Sequence, residues 1–455
     1  MQPRTYTKGA IPKHVAHLSA VMIWGFLAMT LGQLIEIVYV GQLGTEAVAA
    51  LTFMFPISMT LNAFTRGIGI GASSLVAQSM GAAEEDRLRR IISHCYLLIL
   101  FLTFAISAVG LLYASSILKG LGAAPEVLPL ATDYAEIWFF GFPAMGLAMV
   151  SNGIIRAYGD ATYPGYIMTI APVIQVTLGP LLIFGVGPIP AMALEGAAWT
   201  FVIGAMTQLA LAAYWYFIKA RMVPSSLKHL SSSVRQILHV GVPAAATNLL
   251  QPITLAISTF LVASYGTGVV AGFGVAGRIE SVVGMVAIGI ATSVVPVVGQ
   301  NWGAALYDRA MLAIRTCYWA CLIWGVAAAV LMWFGAPFFV ALITDDDLAA
   351  TVAIEYLLIV PLSIGFMGML TVANHGFNAI RRPGPALALS IARLVLIYLP
   401  LALIASYYFA YLGIFAAIAL ANVIAGLAAA TWFRKTADTG ETLAIYRLNT
   451  IRART

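Results

Sequence analysis

The chain has 455 residues, 61% hydrophobic and only 9% charged, with a mean hydropathy of +0.93 and a formal net charge of +6. Soluble domains carry about 25% charged residues, so composition excludes a soluble globular protein, and the excess of basic residues is not a nucleic-acid footprint. Apolar runs of about 20 residues or more recur along the whole length, which means membrane-spanning helices and not the short alternating strands of a barrel.

Met1–Lys13 is polar, and the apolar run that follows is too long for the core of a cleavable signal. Twelve spans are expected, at about 15–40, 47–78, 91–117, 129–155, 164–187, 192–218, 236–264, 268–299, 312–342, 350–378, 385–411 and 413–433. The first contains Glu36. A carboxylate in hydrocarbon costs several kcal/mol unless it is protonated, paired or facing a water-filled cavity, so its default reading is functional. Alternate loops divide sharply in charge: 20 of the 24 Lys and Arg, among them Arg87, Arg89, Arg90, Lys219, Arg235, Arg381 and Arg382, fall on the side of the termini. Lys119 stands alone on the other side, with Glu46, Glu126 and Asp345-Asp346-Asp347. By the positive-inside rule both termini are expected in the cytoplasm. The cysteines at 95, 317 and 321 lie in apolar runs and show neither metal-ligand spacing nor a disulfide framework.

The second half of the chain repeats the first. LGTEAVAAL is answered by YGTGVVAGF, and SSLVAQSMGAAEEDRLRR by SVVPVVGQNWGAALYDRA. Gly44 and Gly266, Gly67 and Gly289, Gln78 and Gln300, Arg87 and Arg309, Tyr134 and Tyr356, and Asn152 and Asn374 are each 222 apart, with no gap. Six spans per half preserve orientation, so the repeats are parallel, related by an axis along the membrane normal. The expected fold is an all-α integral membrane protein of twelve transmembrane helices in two six-helix lobes, 1–222 and 223–455, related by a parallel pseudo-two-fold repeat. The polar segment Lys219–Arg235 joins them. Such lobes around a cavity suit an alternating-access carrier.

The stretches VGQLGTEAVAAL, LVAQSMGA, RAYGDATYP, AGRIES and VVGQNWGA, together with this layout, resemble the multidrug and toxic compound extrusion (MATE) transporters over essentially the whole chain. The resemblance implies export of organic compounds, often amphipathic cations, by antiport with protons or sodium. It implies a coupling acid on the first helix, five residues before a Gly; here Glu36 holds that place, where the family usually has Asp, with Gly41 following. It also implies a Tyr on the fourth helix, matched by Tyr134, and an Asn-x-x-x-Asp pair on the fifth, where Gln175 and Gly179 stand instead. At the seventh-helix Glu position, eight residues after Pro243, stands Gln251. A sodium ion wants several oxygens, usually with two carboxylates. One carboxyl remains here, which suits a proton.

Glu36, Tyr134 and Gln175 are therefore the expected coupling site, with Arg278, Glu280 and Gln251 a candidate second site in the C-terminal lobe. Arg278 and Glu280 are two residues apart on a helix and are not natural partners of one another. Arg66, about 30 Å along the second helix, is expected near the cytoplasmic face, in a snorkelling or phosphate-contact role. Met54, Phe55, Met59, Met285, Phe366, Met367 and Met369 are candidate linings of an adaptable cavity. With no Pro between Val15 and Gly41, sharp bending of the first helix would fall at Gly25 or Gly32. The expected function is proton-coupled export of amphipathic organic compounds by a monomer in the inner membrane, with no enzyme activity, metal, cofactor or nucleic-acid partner. A sodium-coupled exporter, and a flippase for lipids or lipid-linked oligosaccharides, are the alternatives; a flippase needs basic residues inside its cavity. A prenyltransferase would need a second aspartate-rich motif besides Asp345–Asp347.

Overall fold

The computed structural model describes residues 6–188, 190–222 and 227–452, with side chains up to 438. The helices are α1 (Ile11–Gly41), α2 (Thr45–Gly81), α3 (Glu85–Gly120), α4 (Leu128–Tyr158), α5 (Tyr163–Phe184) and α6 (Ala193–Lys219). The second half gives α7 (Leu230–Ala263), α8 (Thr267–Gly303), α9 (Tyr307–Ala341) and α10 (Asp347–Ala379). A last apolar stretch, Pro383–Asp438, breaks at Phe409 (φ −126°, ψ 17°) and Ala410 (φ 50°, ψ −140°). The break separates α11 (383–408) from α12 (411–452), and so completes twelve helices, each long and apolar enough to span a membrane. Spanning segments must be helical because lipid offers no partner for an unpaired backbone N–H or C=O.

The repeat is written into the backbone as well as the sequence. Gly44 (φ 109°) and Gly266 (φ 104°) take the same left-handed conformation immediately before α2 and α8; a side chain there would be strained. At the other ends of these helices Ala83 (φ 55°) and Ala305 (φ 57°) make one turn twice. Glu84 N–H bonds to Ser79 O at 3.0 Å, and Leu306 N–H to Asn301 O at 2.8 Å.

The described residues divide into two compact units, one of Trp24–Ala245 and the other of Tyr6–Ile23 with the chain from Ala246 onward. Cut by packing, these units differ from lobes cut at 222, because α1 and α7 each change unit part-way. The two changes, at Ile23/Trp24 and Ala245/Ala246, are themselves 222 apart. The boundary expected between 222 and 223 abuts residues 223–226, which lie outside those described.

In the first unit α4 is the central helix, buried along most of its length, with α2, α3 and α6 packed around it. Its Trp138 stacks between Phe142 and Phe201. In the second unit α8 and α10 hold that position. The motif residues Gln300, Asn301 and Arg309 bind the chain that precedes α1. Tyr6 N–H donates to Gln300 Oε1 (2.8 Å), and Arg309 Nη2 donates to Gly9 O (2.9 Å) and Tyr6 O (3.3 Å).

The α4–α5 turn is tied by Asp160. Its Oδ1 accepts from the Tyr163 N–H (3.0 Å), and its Oδ2 accepts from Trp215 Nε1 (3.0 Å) and Lys219 Nζ (2.8 Å). Burial opposes ionisation of this carboxyl, but the Lys219, Tyr163 and Trp215 donors outweigh it and hold it below the ordinary carboxylate value. A depressed acid stabilises the fold above its unfolded-state pKa, and that contribution is lost as pH falls through the folded value. Asp160→Asn is accordingly expected to lower stability by about 1–2 kcal/mol at neutral pH, half-exposure of Lys219 limiting the effect. The deficit relative to the native chain should shrink as pH falls below about 4, the ordinary aspartate range. Thermal melting in detergent across pH checks both statements.

Candidate functional site

Glu36 sits one turn from the end of α1, and Gln175 projects from α5, a helix bent by Pro172 and Pro180. Gln175 Nε2 donates to Glu36 Oε2 at 2.5 Å. Gly32 makes this approach feasible. A Cβ there would lie 2.9 Å from Gln175 Oε1 and 3.0–3.1 Å from Pro172, so α5 could not come so close to any other residue at 32. Around the pair, Tyr39, Gly179, Ile183, Ala197 and Thr200 complete a small pocket of one carboxylate, one amide and two hydroxyls in an apolar wall. Tyr39 donates to Val176 O (3.4 Å) and Thr200 to Gly196 O (2.7 Å), which leaves the hydroxyl oxygens as acceptors.

Tyr134 is buried on α4 within electrostatic range of Glu36, but among the described residues it makes no hydrogen bond to that carboxylate. Of the two expected partners, Gln175 is the one that binds. Tyr39, three residues after Glu36 and hence on the same helix face, could have been anticipated from the sequence; Thr200, on a distant helix, carries no local signal.

In the second unit the expected trio separates. Arg278 and Gln251 are exposed and do not join Glu280, because their side chains leave their helices in other directions. Glu280 Oε2 instead accepts from Tyr356 Oη at 2.6 Å, the tyrosine that repeats Tyr134. The nearby cation is Arg393, within electrostatic range of Glu280 and donating to Asn422 Oδ1 at 2.7 Å, while Asn422 Nδ2 donates to Ser363 Oγ at 3.0 Å. Arg393 lies on a π-helical turn, Ala392–Tyr398; one extra residue per turn rotates a side chain away from the face an α-helix would give it. Of the apolar candidates, Met54 and Met369 are core residues, while Phe55 and Met59 are exposed. Asp346 caps α10 through Ala349 N–H (2.7 Å).

The MatE family profile matches residues 22–181 and 243–404, two segments spaced as the internal repeat is. The chain belongs to the MatE family. The FAD transporter of Shewanella oneidensis is 30% identical over 421 residues, covering 92% of this chain and 93% of that protein. The probable multidrug resistance protein YoeA of Bacillus subtilis is 31% identical over 312 residues, covering 67% of each. Among solved structures, the Vibrio cholerae MATE transporter VcmN in its bent form superposes with a TM-score of 0.89 at 25% identity, covering 95% of this chain and 98% of that one. A MOP-superfamily transporter from Pyrococcus furiosus gives a TM-score of 0.89 at 24% identity, over 96% of this chain and 98% of that one. This MATE protein is thus a multi-pass membrane transporter, not an enzyme, with twelve helices in two lobes.

Three substitutions test the geometry. Gly32→Ala should overpack the α1–α5 contact, at about 1–3 kcal/mol, and push Gln175 off Glu36; a melting temperature equal to that of the native chain would show the gap to be larger than described. Arg393→Gln leaves Glu280 without its nearby cation and should cost about 1–3 kcal/mol. Arg278→Gln, on an exposed side chain, should stay within about 0.5 kcal/mol. Thermal unfolding of both variants in detergent reads the contrast.

Proposed function

We propose that this MATE protein exports amphipathic organic compounds by proton antiport, with Glu36 as the group that alternately binds the proton and releases it. The observation that carries the proposal is the Glu36–Gln175 hydrogen bond within a pocket holding a single carboxylate. A protonated Glu36 is neutral and tolerated in such a dry place; an ionised one demands water or a positively charged group. The two states therefore favour different surroundings, and that difference is what couples proton movement to the shape of the carrier. The donor set supports a proton over sodium, which needs its hydration shell replaced by several oxygens.

In this proposal both termini face the cytoplasm, following the basic loops, and the chain works as a monomer in the inner membrane. The two lobes move largely as bodies in alternating access. Substrates are small organic molecules of the kind implied by the names of its relatives, which include both multidrug proteins and an FAD transporter. Of the two expected bending points in α1, Gly25 adjoins the place where that helix changes unit, at Ile23/Trp24.

Efflux assays in proteoliposomes with a pH gradient or a sodium gradient imposed separately test the coupling. Glu36→Gln should mimic the protonated form, fold normally and reduce pH-driven efflux to background. Glu36→Asp, which keeps a titratable carboxyl, should retain part of it. Full pH-driven efflux by Glu36→Gln would move the coupling proton elsewhere, with Glu280 the next acid to examine. Efflux driven by sodium alone would overturn proton coupling.

A further inference from the structure

Arg66 is a cation deep in the membrane that the coupling site does not use. It stands 21 residues into α2 and 15 from its end at Gly81. The helix has 37 residues, about 55 Å at 1.5 Å per residue. With a hydrocarbon slab of about 30 Å centred on such a helix, Arg66 lies roughly 10 Å inside the nearer edge. The sequence alone places Arg66 near the cytoplasmic face; with this centring it lies deeper, because α2 is longer than the slab and continues past Arg66.

Its surroundings make that depth costly. Among the described residues Arg66 forms no ion pair and no side-chain hydrogen bond. Its own surface is exposed.

The face of α2 that carries it is consistent with this. Val48, Thr52, Phe55, Met59, Asn62 and Arg66 follow one another on one side of the helix, all exposed or half-buried. The open face then ends, for Gly69 and Ser73, the next turns on that side, are buried. A face turned to lipid would be apolar throughout and would not stop at an arginine. Arg278 on α8 offers a contrast. It too is exposed, beside open space at Gly274 and Gly277. However, it is only 11 residues, about 16 Å, from its helix end, shallow enough to reach the interface by snorkelling. Arg66 has no such exit.

A guanidinium that remains charged at this depth needs an anion, and none pairs with it among the described residues. We propose that Arg66 binds the phosphate or carboxylate group of a transported or bound organic anion, so that the open face of α2 selects for negative charge on one part of an otherwise apolar, aromatic-tolerant ligand. Phe55 and Met59, about three and two turns away, offer the apolar contact, and Asn62, one turn away, a further hydrogen-bonding group. The same chemistry fits a free organic phosphate and a phospholipid headgroup.

The test uses the full chain in phosphatidylcholine nanodiscs and two fluorescent probes that differ by one phosphate, riboflavin 5′-phosphate and riboflavin. The native chain should bind the phosphate ester about tenfold or more tightly than riboflavin, the scale of one charge-assisted hydrogen bond. Arg66→Ala should erase that preference while leaving riboflavin affinity unchanged, and Arg66→Lys should keep part of it. If Arg66→Ala does not fold, Arg66→Lys against Arg66→Gln carries the same comparison. Discs containing phosphatidylglycerol separate the two sources. A headgroup occupant should weaken ester binding by the native chain but not by Arg66→Ala, and native mass spectrometry should find the lipid retained only where Arg66 is present. No phosphate preference in the native chain together with no Arg66-dependent lipid retention overturns the proposal, as does a preference that survives Arg66→Ala. Binding needs no gradient, so the result is independent of whether Glu36 couples protons.

Discussion

A carboxylate placed in hydrocarbon must be neutral, paired or wet, and the first unit is built around meeting that demand at Glu36. Gly32 removes the side chain that would hold α5 away. Gln175 then reaches the acid, and Tyr39 and Thr200 line the same small pocket. The second unit repeats the backbone but not the solution. The residue 222 after Glu36 is Ser258, which shares a 2.7 Å hydrogen bond with Tyr398 and carries no charge. The buried acid there has moved to α8, where Glu280 is met by Tyr356 and faced by Arg393. One architecture thus holds one acid satisfied by an amide and another by a phenol with a nearby guanidinium. A guanidinium lies within electrostatic range of Glu280, whereas the residues lining the pocket of Glu36 include no cation.

The fold was legible in the sequence because its causes are local and periodic. Span lengths follow from the thickness of hydrocarbon, and the 222-residue register follows from glycines such as Gly44 and Gly266 whose backbone admits nothing else. Glu36 was legible for the opposite reason, as the residue type that the environment penalises most, and Gln175 because the family resemblance points to its position. What was lost depended on side-chain direction. Arg393 leaves a π-turn that no spacing rule anticipates, so the cation near Glu280 was not named, and Arg278 and Gln251 stood with Glu280 as the candidate second site. Tyr134 matched by position, yet its hydroxyl does not reach the carboxylate that its repeat partner Tyr356 does reach in the other unit.

Glu36 and Arg66 together constrain how coupling can operate. In the simplest antiport, substrate and proton compete for one carboxylate, and displacement of one by the other is itself the exchange. That scheme requires a ligand with positive charge at Glu36. A ligand held by Arg66 carries negative charge, and it has no reason to displace a proton from a neutral carboxyl. For such a ligand the two events are linked only through shape: protonation of Glu36 removes the need for water or a cation at the α1–α5 contact, so coupling to the ligand runs through a change in the arrangement of the helices. α1 is suited to that role because it changes unit at Ile23/Trp24, with Glu36 beyond the change and the Tyr6–Gly9 strap fixed by Gln300 and Arg309 before it. Coupling free energies of this indirect kind are typically 1–3 kcal/mol, enough for a five- to hundredfold bias. They also leave the carrier tolerant of ligands that share only a charge and an apolar body.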